Sequence, residues 1–74
     1  MDFKTNTEFV NKIKAECKDK DFVEAINGFF HDSTNDPKKQ SVLTAFGKRV
    51  KLTNGKPNID HVELLDMYEE ALSR

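Results

Sequence analysis

Asp32-Ser33-Thr34-Asn35-Asp36 carries the alternating oxygen donors with which a calcium loop opens. Such a loop needs glycine at its sixth position for a sharp turn and glutamate at its twelfth as a bidentate ligand. Here those positions hold Pro37 and Leu43, so the segment reads as a solvated interhelical loop ending in a helix cap. His31 and His61 are the only histidines. A zinc site would need both to converge with carboxylates, because one cysteine supplies no thiolate cluster and no His-Glu-x-x-His motif is present. His61 stands beside Asp60 and Glu63 at a helix start, where an exposed ring or a local hydrogen bond is the ordinary outcome. No metal and no cofactor are expected.

Catalytic patterns fare no better. Cys17 continues the apolar stripe of Phe9 and Ile13. It reads as a small buried hydrophobe, since a nucleophilic thiol wants a base and an electropositive site, and only Lys14 and Lys18 are near in sequence. Gly47-Lys48-Arg49 lacks the Gly-Lys-Ser/Thr ending of a phosphate loop. Asp66 and Glu70 are paired at i, i+4, the usual pattern of a solvated helix face. The chain is expected not to be an enzyme.

The strongest chemical signal is charge placement. Residues 37–59 contain Lys38, Lys39, Lys48, Arg49, Lys51 and Lys56 and no acid, whereas the whole chain carries a net charge of −1. The acid-rich first and last helices can balance this segment within the fold. It can also meet an acidic protein partner, or the phosphates of a nucleic acid. Nucleic acid is the weaker of the two partners: the net charge is negative, and Phe46, the one aromatic among the cations, lies on an apolar stripe and is not free to stack on bases. A helix-turn-helix drawn with Gly47 as its turn lacks a second amphipathic helix before Pro57. Cations late in a helix complement its dipole, but Lys38 and Lys39 in the first turn oppose it. They also stand about 15 Å from Lys48 along a regular helix. Lys48, Arg49, Lys51 and Lys56 are therefore the cluster to test. Glu63, Asp66, Glu69 and Glu70 form a second, acidic candidate surface, for which solubility is the simpler account.

Four amphipathic helices must position these residues. Thr5 with Glu8 makes a capping-box pattern ahead of Phe9, Val10, Ile13 and Cys17, predicting a helix over about 6–18. Asp19 or Asp21 caps a second helix over about 20–31, whose wide apolar face holds Phe22, Val23, Ala25, Ile26, Phe29 and Phe30. Gly28 there marks close packing or the helix end. Asp36-Pro37 opens a third helix over about 37–50 with Val42, Leu43, Phe46 and Val50 inward, and Gly47 ends or weakens it. Asn58 or Asp60 caps a fourth over about 59–73, where Ile59, Val62, Leu65, Tyr68 and Leu72 recur at three- and four-residue steps, widened by Leu64 and Ala71. Residues 48–58 read as helix, loop or a short hairpin across Asn54-Gly55, the hairpin being disfavoured because its strands would span only three or four residues.

These elements give an all-α, compact single domain spanning 1–74, small enough to be marginally stable at about 3–5 kcal/mol. Apolar residues make up 36% of the chain and charged residues 34%, enough for one thin core and too little wall for a deep pocket. Met1-Asp2-Phe3-Lys4 shows no signal-peptide pattern, no apolar run nears the ~20 residues that span a bilayer, and Cys17 alone forms no intramolecular disulfide. A cytoplasmic, reducing setting fits all three observations. The expected function is a small non-enzymatic binding module, an inhibitor, regulator or adaptor acting by protein–protein contact, with nucleic-acid binding through 38–56 as the alternative. A homodimer completing its core with exposed Phe residues of the second helix is the third option.

Overall fold

The computed structural model describes residues 5–74. The leaderless reading of Met1–Lys4 lies outside the described residues. Helix α1 spans Asn6–Glu16, α2 Lys20–Asp32, α3 Pro37–Arg49 and α4 His61–Leu72, with a two-residue hairpin, β1 Leu52–Thr53 and β2 Lys56–Pro57, between α3 and α4. The domain is all-α, and among the described residues the sheet is limited to that one hairpin.

Each helix starts on an oxygen placed by the local sequence. Thr5 Oγ1 accepts the Glu8 N–H at 3.2 Å, the first half of the capping box. Asp19 Oδ1 accepts from the N–H groups of Asp21 and Phe22, and Asp36 Oδ1 from those of Lys38 and Lys39. Asp60, not Asn58, caps α4, accepting the Glu63 N–H at 2.8 Å. These carboxylates satisfy amides that have no helical partner, and their charge suits the positive helix ends.

The helix interiors depart from expectation at Gly28, while Gly47 does not end α3. Gly28 is exposed within α2, and a Cβ added there would meet nothing within 4 Å, so it marks neither close packing nor a helix end. Helix α3 runs through the buried Gly47 to Arg49, which removes Gly47 as the turn of a helix-turn-helix. The chain then leaves α3 at Val50 in extended conformation.

The hairpin is the less expected element. Asn54 and Gly55 both adopt positive φ, 54° and 82°, as a type I′ turn requires. Leu52 opposes Pro57 and Thr53 opposes Lys56. The side chain of Asn58 holds the hairpin to the end of α3: its Oδ1 accepts the Lys51 N–H and its Nδ2 donates to the Arg49 carbonyl, both at 3.0 Å. The turn in turn docks on the end of α1, where the Lys18 N–H donates to the Gly55 carbonyl at 2.8 Å. A Cβ on Gly55 would lie 2.7 Å from Lys18 Cγ and 3.0 Å from the Glu16 carbonyl oxygen, so this contact requires glycine twice over.

Helices α2 and α3 each pack against the other three. Phe9, Phe22, Ile26, Leu43 and Leu64 are fully buried at their meeting point. The radius of gyration, 11.2 Å, matches the ~11 Å expected of a compact chain of this length. Phe22 and Phe29 are buried and Phe30 is half-buried, so α2 holds no exposed Phe with which a dimer could complete the core. Phe29 and Tyr68 stack with ring centroids 3.9 Å apart, and Phe46 tilts against both. The Tyr68 hydroxyl is buried without a hydrogen-bond partner among the described residues. Burial raises its pKa above 10.0, with smaller contributions from the charges of Asp32 and Asp36. No described helix is long and apolar enough to cross a membrane.

Candidate functional site

The fold separates the six cations of residues 37–59 into distinct settings. Lys38 reaches across to the end of α4, where its Nζ donates to the main-chain oxygens of Leu72 at 2.8 Å and Arg74 at 2.7 Å. Helix α4 has no basic residue in its own last turn, so Lys38 supplies the cation that its negative end lacks. A lysine that opposes the dipole of α3 thus complements that of α4.

Lys56 lines a cleft of about 510 Å³ with Lys18, Asp19, Asp60 and Glu63, a mixed-charge setting. The hairpin register continues through Lys51 and Asn58, whose backbones bond at 3.0 Å. Side chains alternate along a strand, so Lys51 and Lys56 share the outer face as diagonal neighbours, while Leu52 and Pro57 turn inward and are half-buried.

Lys48 and Arg49 both lie in the last turn of α3 and are exposed, but they diverge by about 100° around its axis. Lys48 sits one turn beyond Thr44, whose hydroxyl bonds Asn6 of α1 at 2.8 Å. Arg49 instead faces α4. It lies eleven residues from Lys38, close to three whole helical turns, so the two cations mark the ends of one stripe along α3 with Val42 and Ala45 between them. That spacing was present in the sequence, but distance along the helix obscured the shared face. Lys39 is half-buried in the first turn of the same helix.

Against this stripe stands the α4 stripe of Met67, Glu70, Ala71 and Arg74. Together they enclose an open groove of about 360 Å³. Val42, Phe46, Met67 and Ala71 make it apolar. Arg49 stands at one end, and Lys38 and Arg74 at the other, where Arg74 pairs with Glu70 at 3.0 Å. The other ion pair among the described residues is Lys12 with Glu16 on α1, at 3.2 Å. Neither pair includes a cation of residues 37–59, so Lys48, Arg49, Lys51 and Lys56 are exposed without an ion pair among the described residues.

Two chemical candidates take unexpected positions. His61 is half-buried, not exposed, and gathers with Asp19 and Asp21, one ligand atom from each lying within 4.8 Å of the others. This set joins the N-termini of α2 and α4, whose positive ends oppose a cation, and Asp19 Oδ1 already receives two amides of α2. Cys17 is half-buried at the end of α1, packs against the core and directs its thiol 3.7 Å from the Asp19 carbonyl oxygen. In the Asp32–Asp36 segment, expected to be an interhelical loop with a helix cap, Asp32 belongs to α2 and Asp36 is the cap of α3. Comparison with protein-family models, with curated proteins and with solved structures finds no match to this chain.

Proposed function

We propose that this chain is a small non-enzymatic protein-binding module, a regulator or adaptor that works by covering an acidic surface of its partner. The observation that carries the reading is the set of exposed cations around the end of α3, Lys48, Arg49 and Lys51, which form no ion pair among the described residues. Lys38 has a structural role at α4, Lys56 sits among carboxylates and Lys39 is half-buried, which leaves the other three. Cations held on a helix end and on a hairpin tied to it by Asn58 are well placed to steer and orient an acidic partner.

The test is affinity capture with the wild-type chain and a K48E/R49E/K51E variant, after matched melting curves establish that both fold. Partners recovered by the wild type alone, and released as salt is raised, support the reading. Identical partner sets on both baits overturn it.

Nucleic acid is the second reading, favoured by the common outer face of Lys51 and Lys56 on the hairpin. Titration of labelled duplex and single-stranded oligonucleotides at low salt tests it. Absence of binding up to about 100 μM removes it, since non-specific binders reach that range even at physiological salt.

A further inference from the structure

We infer that the groove between α3 and α4 is the seat of a short acidic segment of a partner protein, one apolar side chain entering the groove and carboxylates meeting the cations at its ends. This rests on the protein-binding reading above and goes further, naming the pocket and the pattern it selects. The groove joins two features that protein recognition uses together. Its walls are apolar: Val42 and Met67 are half-buried, and Phe46 closes it as a buried base. Its ends are cationic, with three basic side chains against the single carboxylate of Glu70.

At about 360 Å³ the groove is near the lower limit of ligand pockets. It suits an anchoring side chain better than a whole helix. An apolar anchor in a pocket, ringed by polar contacts that exclude water, is the arrangement that concentrates binding energy at interfaces. The ends are not equivalent. Lys38 and Arg74 are held by hydrogen bonds to main-chain oxygens and to Glu70, whereas Arg49 forms no ion pair among the described residues. Arg49 therefore offers its guanidinium fork to an incoming carboxylate without first giving up a partner.

The spacing defines the ligand further. Lys38 and Arg49 are separated by eleven residues of α3, about 16 Å at 1.5 Å per residue. An extended strand covers that distance in about five residues at ~3.3 Å each. The segment recognised is thus an apolar residue flanked by acidic residues about five positions apart, with the acid at the Arg49 end binding more strongly.

A phage-displayed library of random twelve-residue peptides, selected on the whole chain, tests this directly. The probes are the enriched peptides, titrated into the isotope-labelled protein and followed by amide shifts. The variants are Ala45→Trp, which fills the groove from an exposed helix position, Arg49→Glu, and Lys14→Glu on α1 as a distant control. Ala45→Glu replaces the tryptophan variant if melting shows that tryptophan disturbs packing. Expected are peptides with the acid–apolar–acid pattern, shifts centred on Val42, Ala45, Met67 and Ala71, and affinity lowered at least about tenfold by the Ala45 and Arg49 variants but not by Lys14→Glu. The inference is overturned if no peptide is enriched, if the enriched peptides lack acids, or if filling the groove leaves affinity unchanged. In that last case K48E/R49E/K51E separates the two readings. Loss of the peptide there shows that the cationic face binds outside the groove, whereas retained binding removes both.

Discussion

At the residue scale, Tyr68 is the least settled side chain in the core. Its ring contributes stacking on Phe29 and a tilted contact with Phe46, yet its hydroxyl is buried with no hydrogen-bond partner among the described residues. A buried polar atom without a partner costs about 1–3 kcal/mol, while the ring's packing does not depend on the hydroxyl. Tyr68→Phe is therefore expected to raise stability by ~1 kcal/mol in urea denaturation; a loss of that size would reveal a hydrogen bond worth keeping. The raised pKa gives a second readout with a definite sign. Below pH 10 the hydroxyl is neutral in both folded and unfolded states, so it adds no pH dependence. Above pH 10 the unfolded chain releases this proton first, and folding loses stability until the pH passes the folded value. Tyr68 is the only tyrosine, so phenolate absorbance follows it alone. The absorbance should rise above pH 10 in step with unfolding, and Tyr68→Phe should remove that part of the alkaline loss.

At the scale of elements, what could be read in the chain was whatever closes within a few residues. The caps Thr5, Asp19, Asp36 and Asp60 each receive amides two or three positions ahead, so residue type and local spacing were enough to find them. The hairpin was harder, because two-residue strands have no measurable alternation. Its stability comes from Asn58 and from the docking of Gly55 on α1, contacts that no short window contains. The glycines accordingly part ways. Gly28→Ala removes backbone freedom from an exposed helix site with open space, and should stabilise by about 0.5–1 kcal/mol. Gly55→Ala places a Cβ against Lys18 and Glu16 at φ 82°, and should destabilise by at least ~1–2 kcal/mol. Paired melting curves should show shifts of opposite sign. Lys38 was illegible for the same reason as the hairpin: its acceptors lie 34 and 36 residues away. Lys38→Met keeps most of the apolar stem and deletes the charge. Hydrogen exchange should quicken in the last turn of α4, where a favourable charge–dipole contribution of about 0.3–1 kcal/mol is lost, and slow or stay unchanged at the start of α3. Uniform change across all four helices would mean that Lys38 does not act as the cap of α4.

At the scale of the molecule, the all-α class was legible because four amphipathic stripes and the three polar breaks between them agree with one another, but the groove was not. It needs the α3 stripe from Lys38 to Arg49 to meet the α4 stripe from Met67 to Arg74. Amphipathicity marks an inward face only coarsely, since Val62 and Leu65 of the expected α4 stripe are exposed while Leu64 is fully buried, and it does not say which helices become neighbours. The same mutual packing leads us to expect all-or-none unfolding. Leu43 is fully buried on α3, a helix that contacts each of the other three. Leu→Ala in such a setting costs about 2–5 kcal/mol through lost transfer and an unfilled cavity. A single core in a chain of this length rarely supplies more than ~3–5 kcal/mol. The two ranges overlap, so Leu43→Ala should leave the chain largely unfolded, with helical circular dichroism and amide dispersion lost together and no subset of helices retained. Val42→Ala, one position away on the half-buried groove wall, should melt cooperatively close to the wild type, because the groove lets water fill what the side chain vacates. If Leu43→Ala instead kept α1 and α2 helical while releasing α3 and α4, the four helices would not be one cooperative unit. The groove would then be a feature of a separable half of the molecule.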